Sequence, residues 1–150
     1  MSGLEVREAE PDELHHVLAL MRHLIPEDDP LDAEEAMRIW GRQRASGLLY
    51  VLLGWLDDQP VSTCLLAVVP NLTRGGRPFA LIENVVTRTD QRGRGFGRTT
   101  MQTAIQRARA EGCYKVMLLT GRKNEAVFRF YERCGFDRHS KTAFQLRFSL

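Results

Sequence analysis

The chain has 150 residues, of which 43% are hydrophobic and 27% are charged, and its formal net charge is +2. This length favours one domain with a real core, and the composition excludes global disorder. The small net charge gives no reason to expect a nucleic-acid partner or a membrane surface.

The first half of the chain is predicted to contain three strands and two helices. Apolar residues at helical spacing follow Pro11, and a second helical segment ends at Gly47. The strands are indicated by alternation or by short apolar runs, with a hairpin turn after the second strand. The predicted elements are a strand over 4–10, helices after Pro11 and over 31–46, strands over 48–56 and 61–69, and a loop over 70–78.

The second half is predicted to alternate strands and helices. Apolar residues at i, i+3, i+4 and i+7 indicate an amphipathic helix after residue 96. Asn124 and Gly135 are typical of the start and the stop of a shorter helix. The predicted elements are strands over 79–87, 113–120 and 142–148, and helices over 96–111 and 124–134.

Cysteine and histidine spacing gives no disulfide or metal pattern. Three cysteines make an odd count without CxxC spacing, and the four histidines show no i,i+4 pair. The opening segment MSGLEVREAE does not resemble a signal peptide, and the apolar runs are far shorter than a membrane span. We therefore expect a cytoplasmic protein with reduced thiols, no metal and no membrane partner.

The segment QRGRGFGR, residues 91–98, places glycines at alternate positions between arginines, after a predicted strand and before a predicted helix. Glycine lets the backbone approach a ligand, while arginines and the N–H groups of a helix start attract anions. The spacing is G-x-G-x-G, which is not the Rossmann G-x-G-x-x-G. A Walker A loop would need glycine at Arg92 and lysine at Arg98. The segment therefore predicts a phosphate-binding loop of another type.

The R-x-x-G-x-G loop, together with NEAVFRFYERCGF at 124–136, resembles the GNAT superfamily of N-acetyltransferases. The resemblance implies one α/β GNAT domain over 1–150, with a mixed, mostly antiparallel sheet of about six to seven strands flanked by about four helices. It also implies acetyl-CoA as co-substrate, held by the loop, by the preceding strand and near the second motif. The cofactor-binding residues so implied are Val85, Val86, Thr87, Arg92, Gly93, Arg94, Gly95, Phe96, Gly97, Arg98, Asn124 and Tyr131. Thr99 and Thr100 depart from the aliphatic residues more usual at this helix start.

Acetyl transfer to an amine poses two proton problems, because the attacking nitrogen must lose a proton and the leaving thiolate must be stabilised. The resemblance assigns the second task to Tyr131, although full proton transfer from a phenol to a thiolate is uphill by about 2 kcal/mol from reference pKa values. Glu83 is the candidate base, because it interrupts an apolar strand, where an acid costs free energy unless it faces water, a partner or a cleft. The alternative for Tyr131 is a structural role as a core residue. The alternative for Glu83 is an ion pair with an arginine of the 74–77 loop. Asn84 is expected on the opposite side of the strand, unless a bulge splays the strand there.

The acceptor is left open by the sequence. We expect a small-molecule primary amine that attacks directly in a ternary complex. The segments LIENVV and GCYKVMLLT are similar to the glucosamine-6-phosphate N-acetyltransferase branch, and Arg74 and Arg77 could meet a sugar phosphate. The rivals are acetylation of a protein or peptide, with the acidic PEDDPLDAEE lining a groove, and a catalytically silent acyl-CoA-binding module.

Association with other macromolecules is also open. Nucleic acid is disfavoured, because Phe96 is the only aromatic residue among the arginines of the loop. A homodimer is expected from the resemblance, with Trp40, Trp55 and the C-terminal strand as contributors. These residues carry no partner signature of their own.

Overall fold

The structure is a computed structural model, and it describes residues 3–149. The chain divides into two compact units, one reaching to Leu118 and the other beginning at Leu119. One N-acetyltransferase domain over 1–150 stays a prediction.

Residues 3–149 form an α/β structure with one mixed sheet of five strands and four α-helices. The first unit contains β1 (Leu4–Glu8), α1 (Leu14–Leu24), α2 (Ala33–Ala45), β2 (Leu49–Leu56), β3 (Gln59–Val69), β4 (Phe79–Thr87), α3 (Phe96–Ala110) and β5 (Val116–Met117). The second unit contains α4 (Glu125–Arg133). Short 3-10 turns lie at Pro11–Glu13, Arg74–Gly76 and Thr89–Gln91.

The five strands lie side by side in chain order, from β1 at one edge to β5 at the other. The pairs from β1 to β4 are antiparallel, and the β4–β5 pair is parallel. The predicted strand over 79–87 is confirmed at both ends. Because α3 connects β4 to β5, the glycine segment lies at the end of β4, where the chain leaves the sheet.

The two faces of the sheet are buried by different helices. Val51 and Leu53 of β2 pack in one cluster with Leu20 of α1 and Trp40 of α2. Gly54 follows Leu53, so it points to the opposite face, where Thr100 of α3 lies within 3.2 Å of the place a Cβ would occupy. The sheet is therefore sandwiched between α1 and α2 on one side and α3 on the other, which fixes β4 from both faces.

The predicted sheet of six to seven strands is wrong for the described residues, which form five. Residues 142–148 were expected to be the last strand, and they are neither helix nor strand. Alternation marks one apolar face, but a strand also needs a neighbour for its backbone hydrogen bonds. The predicted strand over 113–120 is reduced to Val116–Met117, because β5 pairs only with Ala80 and Leu81 of β4.

Candidate functional site

A β-bulge in β4 forms the centre of the site. Thr63 of β3 pairs with Val86 and Leu65 pairs with Glu83, so one residue of β3 faces two residues of β4. Asn84 takes up the extra length with a φ of 55°, in the left-handed region that asparagine tolerates better than most residues. Glu83 and Asn84 are consequently both exposed, and the splayed strand that the sequence analysis left open is observed.

The bulge coincides with the place where β4 and β5 separate. The parallel pairing of the two strands covers Ala80 and Leu81 only, and within residues 3–149 no residue of β4 after Leu81 pairs with β5. On the side away from β3, the backbone of 85–87 is therefore not part of a ladder. Such an edge offers N–H and C=O groups to an extended ligand. The part assigned to Val85, Val86 and Thr87 stays a prediction.

The glycine segment turns the end of β4 into the start of α3. Gly93 and Gly95 have φ values of 76° and 82°, and Gly95 caps α3. A Cβ at either position would meet nothing within 4 Å, so the backbone conformation rather than crowding requires glycine there. The first hydrogen bond of the helix runs from the Thr99 N–H to the Gly95 carbonyl at 3.1 Å. The N–H groups of residues 96–98 precede that bond and form an anion-binding helix start.

The arginines of the segment divide into two roles. Arg92 donates from Nε to the Thr87 carbonyl at 3.1 Å and from a terminal nitrogen to the His23 carbonyl at 3.4 Å, so it ties the loop to β4 and to the end of α1. Arg94 donates to the Gln91 side chain and lies 4.8 Å from the centre of the Phe96 ring. Arg98 is exposed and forms no ion pair within the described chain. Arg94 and Arg98 are thus better placed than Arg92 to meet a phosphate.

His23 is an anchor of the loop that the sequence analysis did not find. Its Nδ1 accepts from the Thr89 N–H at 3.3 Å and lies 2.9 Å from the Thr89 hydroxyl. The His23 carbonyl accepts a hydrogen bond from the Arg92 guanidinium. The contact joins residues 66 positions apart, and no local sequence pattern indicates it.

Buried polar contacts lie beneath the loop. Phe96 is 2% exposed and Thr100 is 1% exposed. The Thr100 hydroxyl donates to the Phe96 carbonyl at 2.9 Å and lies 2.7 Å from the Ser62 hydroxyl of β3. The threonine that departs from the family pattern is therefore paired with a serine across the α3–sheet interface, which satisfies both hydroxyls.

A cavity of about 180 Å³ opens beside the bulge, between α1, α2 and the sheet. Asn84 lines it together with Cys64, which is buried, and most of the remaining lining is apolar. Burial raises the pKa of the Cys64 thiol to about 12, so this thiol is neutral at pH 7 and is a poor nucleophile. The apolar lining includes Leu14, Val17, Leu18, Met21, Ile39 and Trp40.

A basic cluster, defined here as Arg74, Arg77 and Lys115, lies at the start of β4 and just before β5. Arg74 lies 5.7 Å and Lys115 lies 5.3 Å from the centre of the Tyr114 ring. Desolvation raises the pKa of the Tyr114 phenol, but the neighbouring Lys115 and Arg74 outweigh this effect and hold that pKa below its ordinary value. No carboxylate forms an ion pair with the basic cluster within residues 3–149. Arg74 and Lys115, which both lie beside the Tyr114 ring, make a surface suited to an anion, and Arg77 follows Arg74 by three residues.

In the second unit, α4 is fixed by its two ends. The Asn124 side chain accepts from the Val127 N–H at 3.0 Å, which confirms the predicted N-cap. At the other end the Gly135 N–H donates to the Glu132 carbonyl at 2.9 Å and the Phe136 N–H to the Tyr131 carbonyl at 3.1 Å. Gly135 has a φ of 103°, and the two bonds form a Schellman cap.

Tyr131 is half-buried and stands between two aromatic rings. The ring centres of Phe130 and Phe136 lie 5.0 and 6.3 Å from that of Tyr131, both in edge-to-face arrangements. Phe136 occupies the position after the capping glycine that commonly packs back on the last turn. The Tyr-x-x-x-Gly-Phe spacing of the motif is thus also the spacing of a helix cap that orients the tyrosine. No residue of α4 is buried, so Tyr131 does not have the full burial of a core tyrosine.

Charge on the surface of the second unit is organised around Arg138. Its guanidinium binds Glu125 at 3.0 Å and Glu132 at 2.6 Å, and it lies 4.9 Å from the centre of the Phe128 ring. Hydrogen bonds from Arg138 hold the pKa of both carboxyls below their ordinary values. These contacts bridge both ends of α4 with a residue outside the helix.

An open strand edge that leads into an N–H-rich turn suits a long ligand with an amide-containing arm and phosphates at one end, as in transferases that use an acyl-CoA.

Within residues 3–149 no three His, Cys, Asp or Glu side chains are grouped so as to hold a metal ion. In the same range no helix has both the length and the apolar character needed to cross a membrane.

Comparison with known proteins identifies the class. A family model described as acetyltransferase (GNAT) family matches residues 13–136, and the chain belongs to this family of enzymes. A relative from Trypanosoma brucei brucei, glucosamine 6-phosphate N-acetyltransferase, is 34% identical over 98% of this chain and 96% of its own length. A solved chain from Agrobacterium tumefaciens str. C58, proposed to be an acetyltransferase, matches with a TM-score of 0.90 and 46% identity over 95% of this chain and 99% of that chain. A solved Trypanosoma brucei acetyltransferase has a TM-score of 0.81 and 33% identity over 98% and 99%.

Proposed function

We propose that this acetyltransferase moves the acetyl group of acetyl-CoA to the amine of an amino-sugar phosphate, by direct attack in a ternary complex. The observation that carries the proposal is the 34% identity with a glucosamine 6-phosphate N-acetyltransferase along 98% of this chain. A relationship of this length includes the loop and helix segments in which acceptor sites differ between family members, and not only the glycine loop.

Acetyl-CoA is proposed to lie along the open edge of β4. The backbone of 85–87 would hydrogen-bond its amide-rich arm, and the N–H groups of Gly93–Arg98 would receive its pyrophosphate. Two exposed guanidiniums, those of Arg94 and Arg98, supply positive charge next to those N–H groups. Asn124 is proposed as a further contact, in addition to its role as N-cap of α4.

The chemistry requires a base and an acid on this chain. The amine nitrogen attacks the thioester carbonyl carbon, the C–S bond breaks, and the CoA sulfur leaves with the electron pair. Glu83, exposed beside the bulge and without an ion pair among the described residues, is proposed to take the proton from the nitrogen, directly or through water. Tyr131 is proposed to donate a hydrogen bond or a proton to the sulfur.

The basic cluster of Arg74, Arg77 and Lys115 is proposed to hold the acceptor's phosphate. It lies at the start of β4, and Phe79 precedes Glu83 by four residues on that strand, about 13 Å at the usual rise of a strand. A phosphorylated sugar and an extended arginine side chain together can bridge this distance. The proposal thus accounts for three cations that no carboxylate of the described chain pairs with.

The test is acetyl-CoA-dependent thiol release with glucosamine 6-phosphate, glucosamine, other primary amines and peptides as acceptors. We expect glucosamine 6-phosphate to be used best, with glucosamine at least about 100-fold poorer in kcat/KM, because a charged contact is worth about 1.5–3 kcal/mol and two or more act together. Arg77→Gln should raise KM for glucosamine 6-phosphate about tenfold and leave that for acetyl-CoA unchanged. Arg109→Gln is the matched control, since Arg109 is an exposed arginine at the end of α3.

Other outcomes contradict separate parts of the proposal. Turnover with peptides but not with amino sugars would favour a protein acetyltransferase. Binding of acetyl-CoA without turnover of any acceptor would favour a silent acyl-CoA-binding module. An Arg77 variant whose kcat/KM fell equally for glucosamine and for glucosamine 6-phosphate would show that the basic cluster does not recognise the phosphate. The assignment of the reaction class would be unaffected.

A further inference from the structure

The cavity beside the bulge has a wall without charged side chains. It measures about 180 Å³ and lies between α1, α2 and the strands β2, β3 and β4, all in the first unit. In the part of the chain that the structure describes, no Asp, Glu, Lys, Arg or His lines it. The polar residues of the wall are Gln43, Thr63, Cys64 and Asn84, and the Thr63 hydroxyl already donates to the Leu52 carbonyl at 2.6 Å. Such a cavity is unsuited to a charged ligand.

The cavity combines a fixed inner wall with access from the surface. Cys64 and Trp40 are 1% and 5% exposed, so core packing holds the inner wall in place. Leu31, which also lines the cavity, is 53% exposed, and Asn84 is exposed at the bulge. The cavity therefore reaches the surface, and Asn84 connects it with the part of β4 that carries Glu83.

Only one part of the substrates of the proposed reaction is apolar. The acceptor carries an amine and a phosphate, and the CoA moiety carries phosphates and an amide-rich arm, so these groups would enter an apolar cavity at a large desolvation cost. The acyl chain has no polar group beyond the thioester carbonyl. That carbonyl must lie near Glu83 for the proposed proton transfer, so the chain begins close to Asn84. The single methyl of an acetyl group would fill only a small part of the cavity.

We propose that the cavity is an acyl-chain site, so that the enzyme also transfers short apolar acyl groups longer than acetyl. This inference rests on the function proposed above and adds the class of acyl donor. An apolar cavity of about 150 Å³ holds benzene, a molecule of six carbons. A cavity of about 180 Å³ therefore accommodates a chain of about the length of hexanoyl.

The chemical step is the same for every chain length. The amine nitrogen forms a bond to the thioester carbonyl carbon, and the C–S bond breaks as CoA leaves with the electron pair. The proton of the nitrogen passes to Glu83, directly or through water. The products are CoA and an amide that carries the whole acyl chain.

The first test measures binding of acetyl-, butyryl-, hexanoyl- and octanoyl-CoA by calorimetry, without an acceptor. Full burial of one methylene strengthens binding about fourfold, and hexanoyl has four methylenes more than acetyl, so its Kd should be at least about 30-fold lower. Octanoyl-CoA should lose part of this gain, because its chain is longer than the cavity. A Kd that is constant or rises from acetyl to hexanoyl would overturn the acyl-chain site and leave acetyl transfer intact. Failure of every thioester to bind would contradict both proposals.

Turnover of the same thioesters is measured as thiol release with glucosamine 6-phosphate. We expect kcat/KM for hexanoyl-CoA to be no lower than that for acetyl-CoA. A steady fall of kcat/KM from acetyl to hexanoyl would overturn the proposed class of donor. Absence of turnover with every thioester would contradict the proposed acceptor, and the binding series would then decide separately on the cavity.

A matched pair of variants tests where the chain lies. Ala36 is 3% exposed and lines the cavity, so Ala36→Leu places additional carbons inside it. This variant should reduce the preference for hexanoyl-CoA over acetyl-CoA, measured as the ratio of their Kd values, at least about tenfold. Ala45→Leu, at an exposed position of the same helix, should leave the ratio within about twofold. Equal ratios in the two variants would overturn the assignment of the chain to this cavity.

A fluorescence measurement locates the chain without any variant. Trp40 lines the cavity, and a bromine atom in contact with an indole quenches its fluorescence. We expect 5-bromopentanoyl-CoA, whose chain is about as long as that of hexanoyl-CoA, to quench tryptophan fluorescence more than pentanoyl-CoA does at saturation. Equal fluorescence with the two ligands would place the chain outside the cavity and contradict the proposal.

Discussion

The glycine loop at residues 91–98 and the motif at residues 124–136 are both short sequence patterns, but the molecule holds them by different means. The loop is attached to the core, because Phe96 and the adjacent Thr100 are almost fully buried against the sheet. The second motif is held by the caps of its own helix, and no residue of α4 is buried. A substitution in the first region should therefore change the stability of its whole unit, and one in the second should act locally.

The strongest way to separate the two regions is to remove a single hydroxyl from the second. Tyr131→Phe should lower kcat about 100-fold if the phenol assists the leaving thiolate. It should leave the urea midpoint of the first unit unchanged. That midpoint can be followed by tryptophan fluorescence, because Trp40 and Trp55 both belong to the first unit.

Tyr50→Phe is the matched control for the tyrosine experiment. The Tyr50 hydroxyl donates to the Gly47 carbonyl at 2.9 Å and lies 3.1 Å from Glu111, far along the sequence from either motif. This variant should lower the unfolding free energy by about 1 kcal/mol and leave kcat within about twofold. Equal losses of kcat in the two variants would deny Tyr131 a role in proton transfer.

The glycine loop should be destabilised most by a substitution in the sheet on which α3 packs. A Cβ on Gly54 would collide with the Ser62 hydroxyl and approach the Thr100 hydroxyl, which are hydrogen-bonded to each other. We expect Gly54→Ala to lower the unfolding free energy of the first unit by about 2 kcal/mol, because the sheet and α3 must move apart. It should also raise KM for acetyl-CoA, since Thr100 lies one turn from the loop.

Gly41→Ala is the control for crowding at glycine. Gly41 lies within α2, and a Cβ there would meet nothing within 4 Å. This variant should raise stability by up to about 1 kcal/mol, because alanine is the better helix former. An unchanged urea midpoint for Gly54→Ala would show that the interface between α3 and the sheet is looser than the structure indicates.

A smaller change is expected at the cap of α4. Gly135 has a φ of 103°, a conformation that costs about 1–2 kcal/mol for residues with a side chain. Gly135→Ala should increase hydrogen exchange at the last turn of α4 and lower kcat several-fold, without a shift of the tryptophan-reported midpoint. Gly121→Ala, at a glycine of the same unit with open space around it and no such φ, should change neither. Loss of stability in the first unit would contradict the local character of the cap.

Much of the fold could be predicted from the sequence, because local rules fix it. The predicted strand over 79–87 and the helix that begins at residue 96 agree with the structure, since β-branched and apolar runs, helical spacing and glycine punctuation are local signals. Asn124 and Gly135 bound α4 as capping rules predict. The family was also identified correctly, because both of its motifs are local patterns.

The features that were missed or left open depend on contacts between distant residues. The bulge at Asn84 was left as an alternative to regular alternation, because it arises from register between β3 and β4 and local sequence does not fix that register. The anchoring of the loop by His23 joins α1 to the end of β4. The strand expected over 142–148 was wrong in the described chain, because alternation does not supply a pairing partner.

The smallest expected effect is a pH dependence in the first unit. Arg7 binds Glu13 through two hydrogen bonds of 2.9 and 2.6 Å, and the Glu10 N–H donates to the same carboxylate at 2.7 Å. The hydrogen bonds from Arg7 hold the pKa of Glu13 below its ordinary value. Glu13→Gln should therefore lower the unfolding free energy at pH 7, by no more than about 1 kcal/mol because the pair is partly exposed.

The sign of the pH dependence follows from the lowered pKa of Glu13 in the folded state. The pair stabilises the protein fully above the unfolded-state value of about 4.3, and its contribution disappears as the pH falls through the lower folded-state pKa. Urea unfolding should thus show a difference between the unmodified chain and Glu13→Gln that is constant at neutral pH and shrinks below about pH 4. Glu35→Gln breaks a more exposed pair with Arg38 and is the matched control, which should change the unfolding free energy less than Glu13→Gln at neutral pH. A difference in unfolding free energy that persisted or grew in acid would mean that Glu13 stabilises the protein by packing and not by its charge. The contact between β1 and the turn before α1 would then be held by core packing, like the glycine loop.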